Sequence, residues 1–183
     1  MDKEKIISIV DKVGEDVEIL DGIVYDVVNR YTEDLDNIMT NIKTEILDDN
    51  NPAINTIEKY FLELSSCLYF MCEKVEKLGL LDSISKSNAQ ESYNTKYLQH
   101  QHNSNTTKKP TVAELTALSE SESLYDRTVN DMYAKAYKIV KNKISSAETM
   151  ISTLSKILSH RIQESNLTMT QTSRQILNEG ELF

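Results

Sequence analysis

Chain breakers are nearly missing from this sequence, with 4 Gly and 2 Pro in 183 residues, and there is no Trp. Short strands joined by tight turns need many more such residues, so their scarcity predicts long helices. Cysteine is equally sparse. Cys67 and Cys72 lie five apart in an apolar run, fit no disulfide or zinc pattern, and read as reduced core thiols. No apolar run approaches the ~18 residues of a membrane span, and the N-terminus lacks a signal-peptide core. The expectation is a soluble protein that stays in the compartment where it is made. There is no glycine-rich phosphate loop, no histidine–carboxylate metal pattern and no nucleophile beside a base, so neither catalysis nor a cofactor is expected. His100 and His102 form a pair without a third ligand and read as loop residues.

Charge and periodicity are plentiful. The net charge is −9, yet residues 1–50 hold fourteen acidic and five basic side chains while the rest hold fifteen of each. The acidic balance therefore belongs to one segment. Within it, Ile6, Val10, Val13, Val17, Leu20, Val24, Val27, Tyr31, Leu35, Ile38, Ile42 and Ile46 alternate three and four apart, the rhythm of a coiled-coil or bundle helix over about 3–47. Asp48-Asp49-Asn50-Asn51-Pro52 ends it. A hydrophobic core helix follows over 52–81, through Ile54, Ile57, Phe61, Leu64, Leu68, Met71, Val75 and Leu78, widened by Tyr60, Tyr69 and Phe70.

Ser83–Leu98 suggests a separate short helix carrying Tyr93 and Tyr97, and residues 99–110 a polar linker. Thr111 and Glu114 are spaced as a capping box behind Pro110. They open a single helix of roughly fifty residues over 111–163, whose stripe needs partner helices. Its late stripe residues Ile151, Leu154, Leu158 and Ile162 are candidates for subunit contacts. Residues 165–183 read as a tail. The chain thus divides into 1–50, 51–98, 99–110, 111–164 and 165–183. The fold class is all-α: an elongated bundle of long helices with coiled-coil-like packing, assembled as an oligomer.

Two windows reverse the acidic balance. Between Arg127 and Arg161, seven basic residues including Lys135, Lys138, Lys141 and Lys156 face only Asp131 and Glu148. Lys138, Asn142, Ser145, Thr149, Ser152 and Lys156 recur at helical spacing, a row of donors suited to phosphate oxygens. The same row also fits a plain solvated face. From Lys86 to Lys109, Lys86, Lys96, Lys108 and Lys109 stand against Glu91, with Tyr93 and Tyr97 interleaved. Tyrosines among lysines can stack bases while amines hold phosphates, though a helix interface explains the spacing too.

The order of these pieces resembles a known family. A hydrophobic helix runs into Lys86-Ser87-Asn88-Ala89, then Tyr93 and Tyr97. A polar loop leads to Lys109-Pro110-Thr111-Val112-Ala113-Glu114-Leu115, and a long helix passes Tyr133, Tyr137 and Ser145-Ser146-Ala147. Over residues 55–163 this is similar to the UvsY recombination mediators of tailed bacteriophages. The resemblance implies a helical homo-oligomer in the host cytoplasm. It would bind single-stranded DNA and help load a RecA-like recombinase onto strands covered by a single-strand-binding protein. It places DNA contacts in the Lys86–Tyr97 segment, where only Lys86 and Lys96 carry charge here; the acidic N-terminal helix has no counterpart in the shorter members. The rival expectation is a virion or scaffold-like assembly protein held by the same heptads. An adaptor that works through the acidic helix is compatible with either.

Overall fold

The structure, a computed structural model, describes residues 3–49, 51–102 and 110–180, with side chains over 11–49, 51–102 and 110–169. Among the described residues the fold is all-α, without strands: α1 (Lys3–Ile42), α2 (Ile54–His102), α3 (Val112–Glu122) and α4 (Leu124–Gly180). The helix expected over 3–47 is present, but its last turn, Lys43–Leu47, is π-helical. There Asp48 N–H reaches back five residues to the Lys43 carbonyl at 2.9 Å. Asn51 N–H then donates to the Asp49 carboxylate at 2.9 Å, a side-chain turn that reverses the chain ahead of α2.

Three boundaries differ from the sequence expectation, the first two for a hydrogen-bonding reason. α2 does not stop near Leu81 but continues to His102, so the separate short helix and the first part of the linker belong to it. The serines at that junction satisfy themselves within the helix, Ser85 Oγ donating to the Asp82 carbonyl and Ser87 Oγ to that of Ser83. The single helix expected from Thr111 is interrupted at Ser123, which sits at φ −94°, ψ 6°. Ser119 and Ser123 are fully buried and each donates at 2.7 Å to the carbonyl four residues back, the back-bonding that bends helices. α4 runs on to Gly180 and takes in most of the expected tail. The capping box is as read: Glu114 N–H donates to Thr111 Oγ1, and Thr111 N–H to Glu114 Oε2.

The chain forms two compact units, and α1, α2 and α4 each contribute a stretch to both. Unit one comprises Met1–Tyr31 and Cys72–Lys141. Its buried side chains include Val24, Val28, Leu78, Leu115, Ala136 and Val140. Here α2 runs antiparallel to α3 and the start of α4. Gly79 comes so close to Tyr137 that a Cβ would lie 3.3 Å from the ring, Ser85 faces Asn130, and Lys96 reaches Glu122. Unit two comprises Thr32–Met71 and Asn142–Phe183, with Leu35, Ile42, Ile57, Tyr60, Leu64 and Leu154 fully buried. Two core expectations fail in α2. Tyr69 and Phe70 are 75% and 67% exposed and pack edge-to-face on each other at 5.3 Å, and Cys72 is exposed. The apolar run there is wider than the face α2 can bury, and these residues fall on its outer side.

Truncating Leu154 to Ala should cost about 2–5 kcal/mol in urea unfolding, because the side chain is fully enclosed. A second prediction concerns Tyr60, whose pKa is raised above 10.0 by interaction with the Glu45 carboxylate and then by burial. The folded chain therefore keeps this proton longer than the unfolded chain. The stabilisation is fully present below pH 10.0 and is lost as pH climbs through the raised value. Stability measured against pH should fall more steeply there in the wild type than in Tyr60→Phe.

Candidate nucleic-acid interface

Unit one contains the strongest candidate site, a groove of about 330 Å³ between the C-terminal part of α2, α3 and the start of α4. Lys86, Gln90 and Tyr93 line it from α2, Glu120 from α3, and Arg127 and Asn130 from α4, over a floor at Ala89. These positions meet because α2 offers 86, 90 and 93 on one helical face, while the antiparallel register brings 127 and 130 opposite. Ser85, buried behind the groove, lies 3.4 Å from Asn130 Oδ1. Among the described residues no carboxylate comes within ion-pair distance of Lys86 or Arg127. Lys86 also borders a shallow hollow along α2 lined by Ser87, Glu91, Asn94, Thr95 and Leu98. Two cations, two amides and a tyrosine in one groove can hold a phosphate and place a ring beside it; Glu120 is the single opposing charge.

The other candidates divide. Tyr93 and Tyr97 are half-buried and lie against each other, with centroids 6.3 Å apart. Lys96 is held by Glu122 at 3.5 Å, and His100 Nε2 lies 3.0 Å from the same carboxylate. That His100–Glu122 approach has an ion pair's separation without a hydrogen bond's angle. On α4, Lys135 donates to Asp21 of α1 at 2.8 Å, so the acidic helix neutralises one member of the basic row. Lys138 and Lys141 are exposed, the latter 5.3 Å from the centre of the Tyr137 ring. Lys108 and Lys109 lie outside the described residues.

In unit two Lys156 is exposed, while Lys143 donates to both Thr32 Oγ1 and the Asp36 carboxylate of α1. The donor row on α4 is weaker than its sequence suggests. Thr149 Oγ1 donates to the Ser145 carbonyl at 3.0 Å and Ser152 Oγ to that of Glu148 at 3.3 Å. Those hydroxyls present lone pairs outward, which repel phosphate oxygens instead of binding them. Of the candidate subunit residues, Leu154 belongs to the chain's own core, Ile151 and Leu158 are half-buried, and only Ile162 is exposed. A carboxylate at Leu154 would attack the fold before it tested a subunit contact.

The sequence alone does not single out Arg127, Gln90 and Asn130 as binding residues. Arg127 sits in the basic window, but nothing in its local sequence marks its pairing with Lys86, 41 positions away. Among the described residues no helix is long and apolar enough to cross a membrane. Set against family models, curated proteins and solved structures, the chain matches none.

Replacing Asp21 by Asn should change stability by less than about 1 kcal/mol, since its pair with Lys135 is exposed on both sides. Thermal unfolding at low and high salt measures this.

Proposed function

We propose that this chain is a non-enzymatic protein that binds single-stranded DNA through the unit-one groove. One observation carries the reading: Lys86 and Arg127, neither paired with a carboxylate among the described residues, share the groove with Tyr93, Gln90 and Asn130. An amine and a guanidinium supply phosphate contacts, the amide N–H groups can add to them, and a half-buried tyrosine supplies a stacking surface that accepts any base. Lys138 and Lys141 extend the cationic surface on α4. The resemblance to the phage mediators gives the groove its place in a process. The protein would act in the host cytoplasm with a single-strand-binding protein and load a RecA-like recombinase. Its homo-oligomer would be held by coiled-coil-like packing. The exposed Leu62, Tyr69 and Phe70 on the outer side of α2 in unit two support such self-assembly. That same apolar face favours the second reading, a virion or scaffold-like assembly protein, and DNA binding separates the two.

Fluorescence anisotropy of a labelled oligothymidylate, followed across a salt series, tests the proposal. The doubly neutralised variant Lys86→Gln, Arg127→Gln should bind more weakly. Its slope of log affinity against log salt should be shallower by roughly 0.7 for each phosphate contact removed. Tyr93→Ala should instead cost about 1–3 kcal/mol per stacked base with the slope unchanged. An intact chain that shows no salt-dependent binding even at low ionic strength would leave the assembly reading in possession. For self-assembly, light scattering at micromolar protein should give a mass above that of a dimer, and a monomer would exclude it.

A further inference from the structure

Among the described residues, α1 carries an apolar stripe that runs out of partners. From Val24 onward the stripe is covered, with Val24 3% exposed and Val28 also buried. One, two and three turns earlier, on the same side of the helix, Leu20, Val17 and Val13 are 36%, 56% and 55% exposed. Ile19, Ile23 and Tyr25 beside them are exposed as well. The heptad spacing does not change at Val24; only the covering does. A helix face that continues a packed seam into solvent is shaped to receive another helix.

The charge beside the stripe says which kind. Residues 11–26 hold Asp11, Glu15, Asp16, Glu18, Asp21 and Asp26 against Lys12 alone. A second copy of α1 is disfavoured: with Val17 and Val24 at a positions, a parallel pair sets Asp16 of one copy opposite Asp21 of the other. An antiparallel pair again brings acidic flank to acidic flank. Like charges across a seam lower pairing, whereas a basic flank would be attracted. The chain already uses this chemistry at the edge of the stripe, where Asp21 is met by Lys135 of α4 at 2.8 Å. Gly14 and Gly22 leave open space, since a Cβ at either would meet nothing within 4 Å.

We infer that residues 11–23 of α1 form the docking surface for a helix of another protein whose apolar stripe is flanked by Lys or Arg. The surface is separate from the groove, so it stands whether or not the groove binds DNA.

Two synthetic probes test this with the full-length chain. They are heptad peptides of about four repeats with the same Ile and Leu seam, one carrying Lys and the other Glu at every e and g position. The Lys peptide should bind, more weakly as salt rises, and the Glu peptide should not. Val17→Asp alters an exposed position, so circular dichroism should be unchanged while affinity for the Lys peptide drops by more than about tenfold, because the seam then buries a charge. The double variant Asp16→Lys, Asp21→Lys, which puts Lys at the g and e positions flanking the seam, should reverse the preference between the peptides. Lys86→Gln, Arg127→Gln should leave peptide binding intact. The inference is overturned if neither peptide binds, if both bind alike, or if Val17→Asp binds as wild type. It is also overturned if sedimentation shows a self-association that Val17→Asp abolishes, which would give the face to a second copy.

Discussion

The register of α2 against α3 and α4 in unit one governs what that unit can do. Its closest approach is at Gly79, where an added Cβ would lie 3.3 Å from the Tyr137 ring, so a larger residue would need the ring to give by a few tenths of an ångström. With that point fixed and the helices antiparallel, Ser85 falls opposite Asn130 and Lys96 opposite Glu122. The groove is a consequence of the same register. Slip the helices by one turn and Lys86 would no longer share a cavity with Arg127. Tight packing, more than any polar contact, therefore decides where the cations converge.

Charge segregation along the chain resolves into local pairing. The acidic N-terminal segment meets the basic one through Asp21–Lys135 in unit one and Asp36–Lys143 in unit two. Both pairs are partly exposed and each contributes no more than about 1 kcal/mol, so they orient helices that the apolar residues hold together. Each carboxylate removes one lysine from the cations that could hold phosphate, which concentrates the binding potential in the groove and at Lys138 and Lys141. Val24, Val28, Leu35 and Ile42 tie α1 into the buried core, so the acidic helix is an integral part of the fold.

The many Ser and Thr residues on α4 give a helix that is polar without being a donor surface. Thr149, Ser152, Thr153 and Ser159 all donate to carbonyls four residues back. A hydroxyl with its proton inside the helix keeps the surface hydrated and leaves phosphate recognition to amines and guanidinium groups.

What the sequence determined by itself is the helical class, the break at Asp48–Pro52, the capping box at Thr111 and the stripe that becomes the core. These are local effects, carried by Gly and Pro scarcity, apolar period and side-chain-to-backbone hydrogen bonds a few residues apart. It did not determine which stripe residues find a cover. Val17 keeps the spacing of buried Val24 yet lies in solvent, because coverage depends on where partner helices end, and Tyr69 and Phe70, which widen the stripe of α2, lie in solvent too. Nor did it determine the interruption at Ser123, where burial commits two serines to the backbone of a helix that reads as continuous. The groove belongs wholly to tertiary structure. Lys86 and Arg127 are 41 residues apart, and only the packing of α2 on α4, through Gly79 and Tyr137, places the two cations in one cavity.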